Sequence, residues 1–166
     1  MKKSGLFRVH LKKFSRDAAY EISNWFPTEQ ESLLWGGHRF GWPVRASAII
    51  DRSELSNIEF YTLIENCNVL GFIELQKINE TEMRLCRIAV SPHHRGQGLG
   101  KKLVQLSLNE IKHRNSYKTV TLAVFTKNNV AYHCYQSLGF TAVDKEPKCK
   151  EFNGETWPLV QMEITL

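Results

Sequence analysis

A glycine-rich turn lies where an apolar run meets an amphipathic segment, and it constrains the fold of this chain more than any other feature. Residues 88–92 read IAVSP, residues 93–100 read HHRGQGLG, and residues 101–108 read KKLVQLSL. Glycine allows positive φ angles and lets a ligand approach the backbone amides closely. The first N–H groups of a helix have no intrahelical partner and lie at the positive end of its dipole. The pattern therefore predicts an anion site suited to phosphate groups.

Several interpretations of this turn compete. The P-loop spacing G-x-x-x-x-G-K-[ST] is not met between Gly96 and Lys101, and the turn reads G-x-G-x-G rather than the dinucleotide pattern G-x-G-x-x-G. The run 119–126 also ends without the acidic residue that a dinucleotide site requires. A clamp for the pyrophosphate of a CoA-type cofactor remains, with a tight strand–helix turn that binds no ligand as the alternative.

Hydrophobic periodicity predicts a mixed α/β protein, and the 166 residues fit one domain, 1–166. The patterns predict strands over 6–13, 58–65, 69–77, 82–90, 119–126, 141–145 and 159–166, and helices over 16–25, 29–34, 98–114 and 129–138. Residues 35–44, rich in glycine and aromatic side chains, are predicted to form a loop. The element order is then β-α-α-β-β-β-α-β-α-β-β.

Composition excludes several classes of protein. Apolar residues make up 42% of the chain and charged residues 23%, which is typical of a globular protein, and no run is apolar enough to span a membrane. The net charge of +5 comes from scattered basic residues, which argues against nucleic-acid binding. The four cysteines show no metal-ligand spacing, so we expect no metal site and a reducing, cytoplasmic location.

Two motifs carry a resemblance to a known family. RGQGLG at 95–100 matches the pattern R/Q-x-x-G-x-G/A, and NVAYHCYQSLGF with its preceding Asn128 matches N-x-x-A-x-x-x-Y-x-x-x-G-F. Both patterns resemble those of the GNAT superfamily of acetyl-CoA-dependent N-acetyltransferases. The resemblance covers about residues 58–166, whereas residues 1–57 fit it only in element type. It implies a single-domain GNAT fold, with a mixed, mostly antiparallel sheet of about seven strands flanked by helices.

The resemblance also implies a function. The chain would transfer acetyl from acetyl-CoA directly to a primary amine of a small molecule, peptide or protein, in a ternary complex without an acyl-enzyme. The alternative is a CoA-binding regulatory module without turnover, which gains weight because the fourth strand lacks the carboxylate found in some family members. The amine acceptor stays open. Exposed edge strands and the C-terminal strand 159–166, together with family analogy, make a homodimer an expectation to test.

The family's cofactor contacts map onto the fourth strand, the glycine turn and the helix that follows the fifth strand. They are Ile88, Ala89, Val90, Arg95, Gly96, Gln97, Gly98, Leu99, Gly100, Lys101, Asn128 and Tyr135. A bulge in the fourth strand would separate it from the fifth, and the N–H of Val90 is the candidate donor to the developing oxyanion. An N-cap role is the alternative for Asn128.

Two residues are candidates for proton transfer. Tyr135 occupies the position of the family's acid, which protonates the leaving thiolate, and a tyrosine of the core is the alternative. Glu74, which shares a strand face with Phe72, is the candidate general base. Glu82 and a chain of water molecules are alternatives as the base. Glu74 would otherwise face solvent or pair with Arg84 or Arg87.

Aromatic residues near the first helices are candidates for the acceptor pocket. These substrate-binding candidates are Trp25, Trp35, Phe40 and Trp42. Such a cluster would accept an aryl group, a polyamine stem or a peptide N-terminus. A small satellite core beneath a loop explains the same residues without a ligand. His38 and Arg39 in this loop are candidates for contacting an acidic acceptor.

Overall fold

Strand pairing organises the structure, a computed structural model that describes residues 8–143 and 148–166. Within these ranges the strands are β1 (His10–Lys13), β2 (Ile58–Glu65), β3 (Asn68–Lys77), β4 (Glu82–Val90), β5 (Thr119–Phe125), β6 (Thr141–Ala142), β7 (Lys148–Phe152) and β8 (Glu155–Thr165). The helices are α1 (Arg16–Ile22), α2 (Glu29–Gly36), α3 (Ala46–Ser53), α4 (Leu99–His113) and α5 (Asn129–Ser137). All the strands form one eight-stranded sheet in the order β1-β2-β3-β4-β5-β8-β6, with β7 also paired to β8. The pair β4 and β5 is parallel, and the other described pairs are antiparallel.

The side chains of the strands point alternately to the two faces of the sheet, and each face carries a hydrophobic core. Phe60 and Phe72 point to the face covered by α1, α2 and α3, whereas Tyr61 and Ile73 point to the opposite face. Successive residues of a strand face opposite sides, so one meander supplies both cores. The layers are therefore helices, sheet and helices, as the predicted α/β class requires.

The stripe of apolar side chains on α4 fills the core on the second face. Its buried residues are Leu99, Leu103, Val104, Ser107, Leu108 and Ile111. These positions recur at helical spacing and form one face of the helix. On α5, Ala131, Tyr135 and Leu138 pack against the same core. Both helices that follow the glycine turn thus lie on one side of the sheet.

The predicted loop at 35–44 is partly helical. A capping box between Thr28 and Glu31 starts α2, and this helix continues through Trp35 to Gly36. A single 3-10 turn, Gly37–Arg39, follows. The prediction that the helix ends at residue 34 was therefore wrong by two residues, and Trp35 is held by a helix rather than by a loop.

Other element bounds also differ from the predictions. Helix α1 ends at Ile22 rather than at residue 25, because Ser23 and Asn24 bond their side chains to the carbonyl of Tyr20. Helix α3 and strand β7 were not predicted, and β8 begins at Glu155 rather than at residue 159. Positions 6–7 and 144–145 of two predicted strands lie outside the described residues.

The C-terminal strand is not an exposed edge. Strand β5 pairs with β8 from Thr119 opposite Thr165 to Phe125 opposite Leu159, while β6 and β7 pair along its other side. Strand β8 therefore has little free edge for pairing with a second copy, and the homodimer stays a prediction. No helix among the described residues is long and apolar enough to cross a membrane.

Candidate active site

Strands β4 and β5 separate halfway along their length. Their pairing runs from Glu82 opposite Thr119 to Leu85 opposite Leu122 and does not continue beyond that point. On its other side β4 stays paired with β3, but Phe72 faces Ala89 whereas Glu74 faces Cys86. Two residues of β4 therefore oppose one residue of β3, which defines a β-bulge. The bulge turns the second half of β4 away from β5.

Arg87 lies in the bulge and has a φ of 50°. A left-handed backbone at a bulky residue that is not glycine costs about 1–2 kcal/mol. The surrounding contacts offset this cost. The indole Nε1 of Trp35 donates to the Arg87 carbonyl at 2.9 Å, and the guanidinium donates to Glu74 at 2.8 Å. The bulge is thus held from both its backbone and its side chain.

The backbone of β4 after the bulge points polar groups into the gap. The N–H of Ser91 donates to the Leu70 carbonyl of β3 at 2.8 Å. Neighbouring residues of a strand direct their N–H groups to opposite edges. The N–H of Val90 therefore faces the gap, where β5 does not pair with it. A cavity of about 500 Å³, the β4 cavity, lies along this edge and is lined by Phe26, Glu31, Leu34, Trp35, Ile88, Ala89, Val90, Arg95, Phe125, Lys127, Asn128 and Trp157.

The glycine turn lies at the end of the same edge. Gly96 and Gly98 have φ angles of 74° and 78°, and a Cβ on either would meet no atom within 4 Å. Glycine is needed there for its backbone conformation and not for packing. The first bond of α4 runs from Lys102 N–H to the Gly98 carbonyl, so the amides of the three preceding residues have no intrahelical partner.

The remaining residues of the turn complete this set of donors. Arg95, Gln97 and Lys101 are exposed, whereas Leu99 is buried and anchors the helix to the core. A Cβ on Gly100 would meet Val90 Cγ2 at an ordinary 3.8 Å, so the protein itself leaves room for a larger residue there. The turn is therefore a pocket of amides and cations open to an anion.

Asn128 and Tyr135 reach the gap from α5. The Asn128 Oδ1 accepts from the Ala131 N–H at 3.1 Å, so this residue caps the helix, and its Nδ2 donates no hydrogen bond within residues 8–143 and 148–166. The side-chain hydrogen bonds around α5 likewise do not involve the hydroxyl of Tyr135 in the part of the chain that the structure describes. Burial, and to a lesser extent Cys134, raises the pKa of the Tyr135 phenol.

A smaller cavity of about 160 Å³, the junction cavity, contains both α5 residues. It is lined by Leu34, Trp35, Leu85, Cys86, Arg87, Ile88, Ala123, Val124, Phe125, Asn128, Ala131 and Tyr135. It shares Trp35, Ile88 and Asn128 with the β4 cavity. The gap between the strands therefore leads from the glycine turn to the Tyr135 side chain.

Glu74 occupies a position unlike that of an exposed base. Its side chain is fully buried, and it lines none of the described cavities around the gap. Arg52 of α3 donates to both carboxylate oxygens, at 2.6 and 3.1 Å, and Arg87 donates to one of them at 2.8 Å. Pairing with Arg87 is the alternative role that the sequence left open. The contacts support a structural role, in which Glu74 joins α3 to the bulge.

The predicted acceptor aromatics occupy different environments. Trp35 is stacked between Phe26 and Phe40, with ring centroids 4.1 and 5.0 Å apart, and it lines the gap. Phe40 lies beneath it in the core, and Trp25 is also buried there. Trp42 is 48% exposed and lines none of the described cavities. The structure thus brings Trp35 to the site and leaves Trp25 and Trp42 away from it.

The Trp35 hydrogen bond has a testable effect on stability. Trp35→Phe keeps an aromatic ring in the stack but removes the donor to the Arg87 carbonyl. We expect the free energy of unfolding to fall by about 1–2 kcal/mol in denaturant titrations. Trp42→Phe is the control, because an exposed aromatic residue should change stability by less than about 0.5 kcal/mol. Equal losses in the two variants would contradict a role for the indole bond.

A third cavity opens on the other side of the junction. This cationic cavity of about 290 Å³ is lined by Leu34, Trp35, Arg39, Arg52, Gln76, Arg84, Leu85, Cys86, Arg87, Ala123, Phe125, Lys150 and Leu159. It shares Leu85, Cys86 and Arg87 with the junction cavity. Its basic residues come from four separate elements or turns, so no sequence motif marks them. The turn Asn153–Gly154 is the one signal that could have located Lys150, because such a turn predicts a hairpin.

The cysteines near the site show no sign of activation. Burial, with a contribution from Glu74, raises the pKa of the Cys86 thiol, and burial raises the pKa of Cys134. A thiol with a raised pKa is a poor nucleophile because the thiolate is the reactive form. All four cysteines are free. Residues 8–143 and 148–166 contain no cluster of three or more His, Cys, Asp or Glu side chains suited to a metal ion.

The sequence of this chain is similar to those of curated acetyltransferases. The chain is 24% identical over 123 residues to a mycothiol acetyltransferase of Corynebacterium glutamicum, which covers 74% of this chain and 42% of that protein. The chain thus spans less than half the length of this curated relative. It is 31% identical over 103 residues to the [ribosomal protein bS18]-alanine N-acetyltransferase of Escherichia coli K12, covering 62% of this chain and 66% of that protein.

Structural comparison supports the fold. A spermidine N-acetyltransferase from Vibrio cholerae, solved in complex with CoA and spermine, superposes with a TM-score of 0.78 at 20% identity over 95% of both chains. The family model described as "Acetyltransferase (GNAT) family" matches residues 17–140, which include both the glycine turn and Tyr135. With the split sheet, the glycine turn and the tyrosine of α5 in place, this match shows that the chain belongs to the acetyltransferase (GNAT) family.

Proposed function

We propose that this chain is a single-domain N-acetyltransferase that moves acetyl from acetyl-CoA to a primary amine in a ternary complex. One observation carries the proposal: two cavities that share lining residues run along the unpaired edge of β4, from Arg95 of the glycine turn to Tyr135. The family match and the acetyltransferase relatives support the same activity. Four free cysteines are compatible with the cytoplasmic location proposed here.

The residues at the gap fit acetyl-CoA, which supplies the acetyl group as an activated thioester. The amides from Gly96 to Lys101 would bind the pyrophosphate, with Arg95 as a charged donor at the turn. The backbone of Ile88, Ala89 and Val90 would pair with the extended pantetheine arm. The Nδ2 of Asn128, which has no partner among the described residues, is oriented on the capped end of α5 beside that arm.

Within this arrangement the chain would handle charge and protons. The Val90 N–H would donate to the oxygen on which negative charge develops. The Tyr135 hydroxyl would give its proton to the departing sulfur. Burial raises the pKa of the phenol and keeps it protonated near neutral pH, and the same burial raises the proton affinity of a thiolate formed beside it. Burial therefore raises both the pKa of the acid, Tyr135, and the proton affinity of the thiolate that accepts its proton.

Removal of the amine proton falls to solvent in this proposal. Both oxygens of Glu74 accept from arginines, and the side chain is closed off from the gap. A water chain, which the sequence left as an alternative, then takes the proton from the amine. Direct transfer is supported by the raised pKa values of Cys86 and Cys134, which disfavour an acyl-enzyme on either thiol.

Cofactor binding at the glycine turn can be tested by thermal melting with acetyl-CoA. A ligand at a hundred times its Kd stabilises by about 2.7 kcal/mol, or roughly 5–10 °C for a chain of this size. Gly98→Glu should abolish the shift, because it adds a negative charge and a side chain at the anion site. Gly154→Glu is the matched control, since Gly154 has the same φ of 78° and open space, but lines none of the described cavities.

Turnover is tested on the same proteins by release of the CoA thiol with a panel of primary amines. Thiol release that depends on an amine would support the enzyme over a CoA-binding regulatory module. Acetyl-CoA binding without release for any amine would favour the module. No melting shift in folded wild-type protein would overturn the cofactor site itself.

A further inference from the structure

The cationic cavity is lined by positive charges that have no role in the acetyl transfer proposed above. Five basic residues line it, from the turn after α2, from α3, from β4 and from β7. They are Arg39, Arg52, Arg84, Arg87 and Lys150. Among the described residues no carboxylate lines this cavity. Glu74, buried behind it, pairs with Arg52 and Arg87. Several like charges in one partly buried cavity are unfavourable unless an anion joins them.

The pairing of these cations is incomplete. Arg39, Arg84 and Lys150 form no salt bridge with any residue in the described ranges. The Nε of Arg87 is buried and has no hydrogen-bond partner among those residues. Buried polar atoms are nearly always hydrogen-bonded, so the guanidinium of Arg87 is not fully satisfied by Glu74.

The pKa of Lys150 is also consistent with an excess of positive charge in this cavity. Burial, and then the positive charges of Arg87 and Arg84, lowers the pKa of the Lys150 amine. The field in the cavity is therefore positive enough to disfavour a further cation. A polyamine would bring additional positive charge into this field, whereas an oxyanion would relieve it.

The position of the cavity connects it to acetyl transfer. It shares Cys86 and Arg87 with the junction cavity, which Tyr135 also lines. It lies on the side of the gap away from the glycine turn, and none of the turn residues lines it. An amine held at the junction could thus extend an attached group among the cations. The volume of about 290 Å³ suits a small molecule.

We propose that the acceptor is a small amine that carries a carboxylate or phosphate group, and that Arg39, Arg84 and Lys150 bind this anion. The proposal rests on the acetyl transfer proposed above and names the substrate class for the same site. Arg52 and Arg87 keep their pairing with Glu74 and supply the positive field behind the anion. Arginine suits both oxyanions because its planar donors match their oxygens.

The test uses pairs of amines with the same carbon skeleton, in which one member carries the anion. Glycine is compared with glycinamide, and O-phosphoethanolamine with ethanolamine, with spermidine as the cationic arm. Release of the CoA thiol gives kcat/KM for each amine. We expect an advantage of about tenfold or more for the anionic member of at least one pair, because charge-assisted hydrogen bonds are stronger than neutral ones. The pair that shows the advantage distinguishes carboxylate from phosphate.

Two variants connect that advantage to the cavity. Arg84→Gln with Lys150→Gln should lower the anionic-to-neutral ratio toward one, while the Kd for acetyl-CoA stays unchanged. Lys112→Gln, which removes the same kind of charge from the exposed side of α4, should leave the ratio unchanged. Three outcomes would overturn the proposal: no anionic advantage in either pair, a higher rate with spermidine than with both anionic amines, or an unaltered ratio in the double variant.

Failure of acetyl transfer gives a different result and leaves the anion site testable. If no amine releases CoA, melting curves with inorganic phosphate and with succinate decide the question. Stabilisation of wild-type protein that is lost in the double variant, but retained in Lys112→Gln, supports the anion site in a chain that does not turn over. Identical shifts in all three proteins would overturn it.

Discussion

Tyr135→Phe is expected to lower kcat for acetyl transfer by about 100-fold or more, the usual contribution of a positioned proton donor. The substitution removes one hydroxyl that makes no hydrogen bond within the described part of the chain, so folding should be little affected. The Kd for acetyl-CoA should change by less than about threefold, because the ring remains. Stopped-flow or steady-state thiol release gives kcat, and calorimetry gives the Kd.

Tyr132→Phe on the same helix is the matched control. Tyr132 lies one turn away and accepts a long 3.4 Å bond from Gln136, and it lines none of the three cavities at the gap. Its loss of a hydroxyl should leave kcat near the wild-type value. If both variants lose activity equally, or if neither does, Tyr135 is not the acid.

Glu74→Gln should lower the free energy of unfolding by about 3–5 kcal/mol, which is the cost of leaving buried charges unpaired. The amide keeps the shape of the carboxylate but removes the negative charge between Arg52 and Arg87. Their side chains are 9% and 13% exposed, so water cannot replace the lost partner effectively. Urea titration at several temperatures measures the change.

Glu59→Gln is the control, because it removes the negative charge from a more solvent-exposed ion pair. Glu59 accepts from Arg114 at 2.6 Å, but its side chain is 39% exposed, so we expect a loss within about 1 kcal/mol. The Glu74 variant also separates two roles. A structural carboxylate would lose stability and retain activity where the protein is folded, whereas a general base would lose kcat in folded protein without a comparable loss of stability.

The prediction of the fold succeeded where hydrophobic patterns are long. Strands β2 and β4 have the predicted bounds, 58–65 and 82–90, because their alternation is bounded by polar turns. The eight residues of α3 escaped prediction, since Arg45 at its N-cap makes no side-chain capping bond. Strand β7 escaped because four of its five residues are exposed and show no apolar face.

The two missed elements explain why the cationic cavity was not predicted. Arg52 belongs to α3 and Lys150 to β7, and only the folded sheet brings them beside Arg87. The glycine turn and Tyr135 were predictable because each lies in a local motif with its own spacing. Arg87 was predictable only in part. Its strand was predicted, but its positive φ depends on contacts with Trp35 and Glu74, which are distant in sequence.

The separation of β4 from β5 has a consequence for self-association. An unpaired strand edge at the margin of a sheet attracts strands of other chains and promotes aggregation. Here the free edge after Leu85 lies inside the sheet, with β3 on one side, β5 across the gap, and Trp35 and Tyr135 on its two faces. Another protein's sheet is kept out, while a single extended chain of strand width can enter. This inner edge thus presents unpaired backbone to a small partner without adding to the sheet margins at β1 and β6, where copies of the chain could pair.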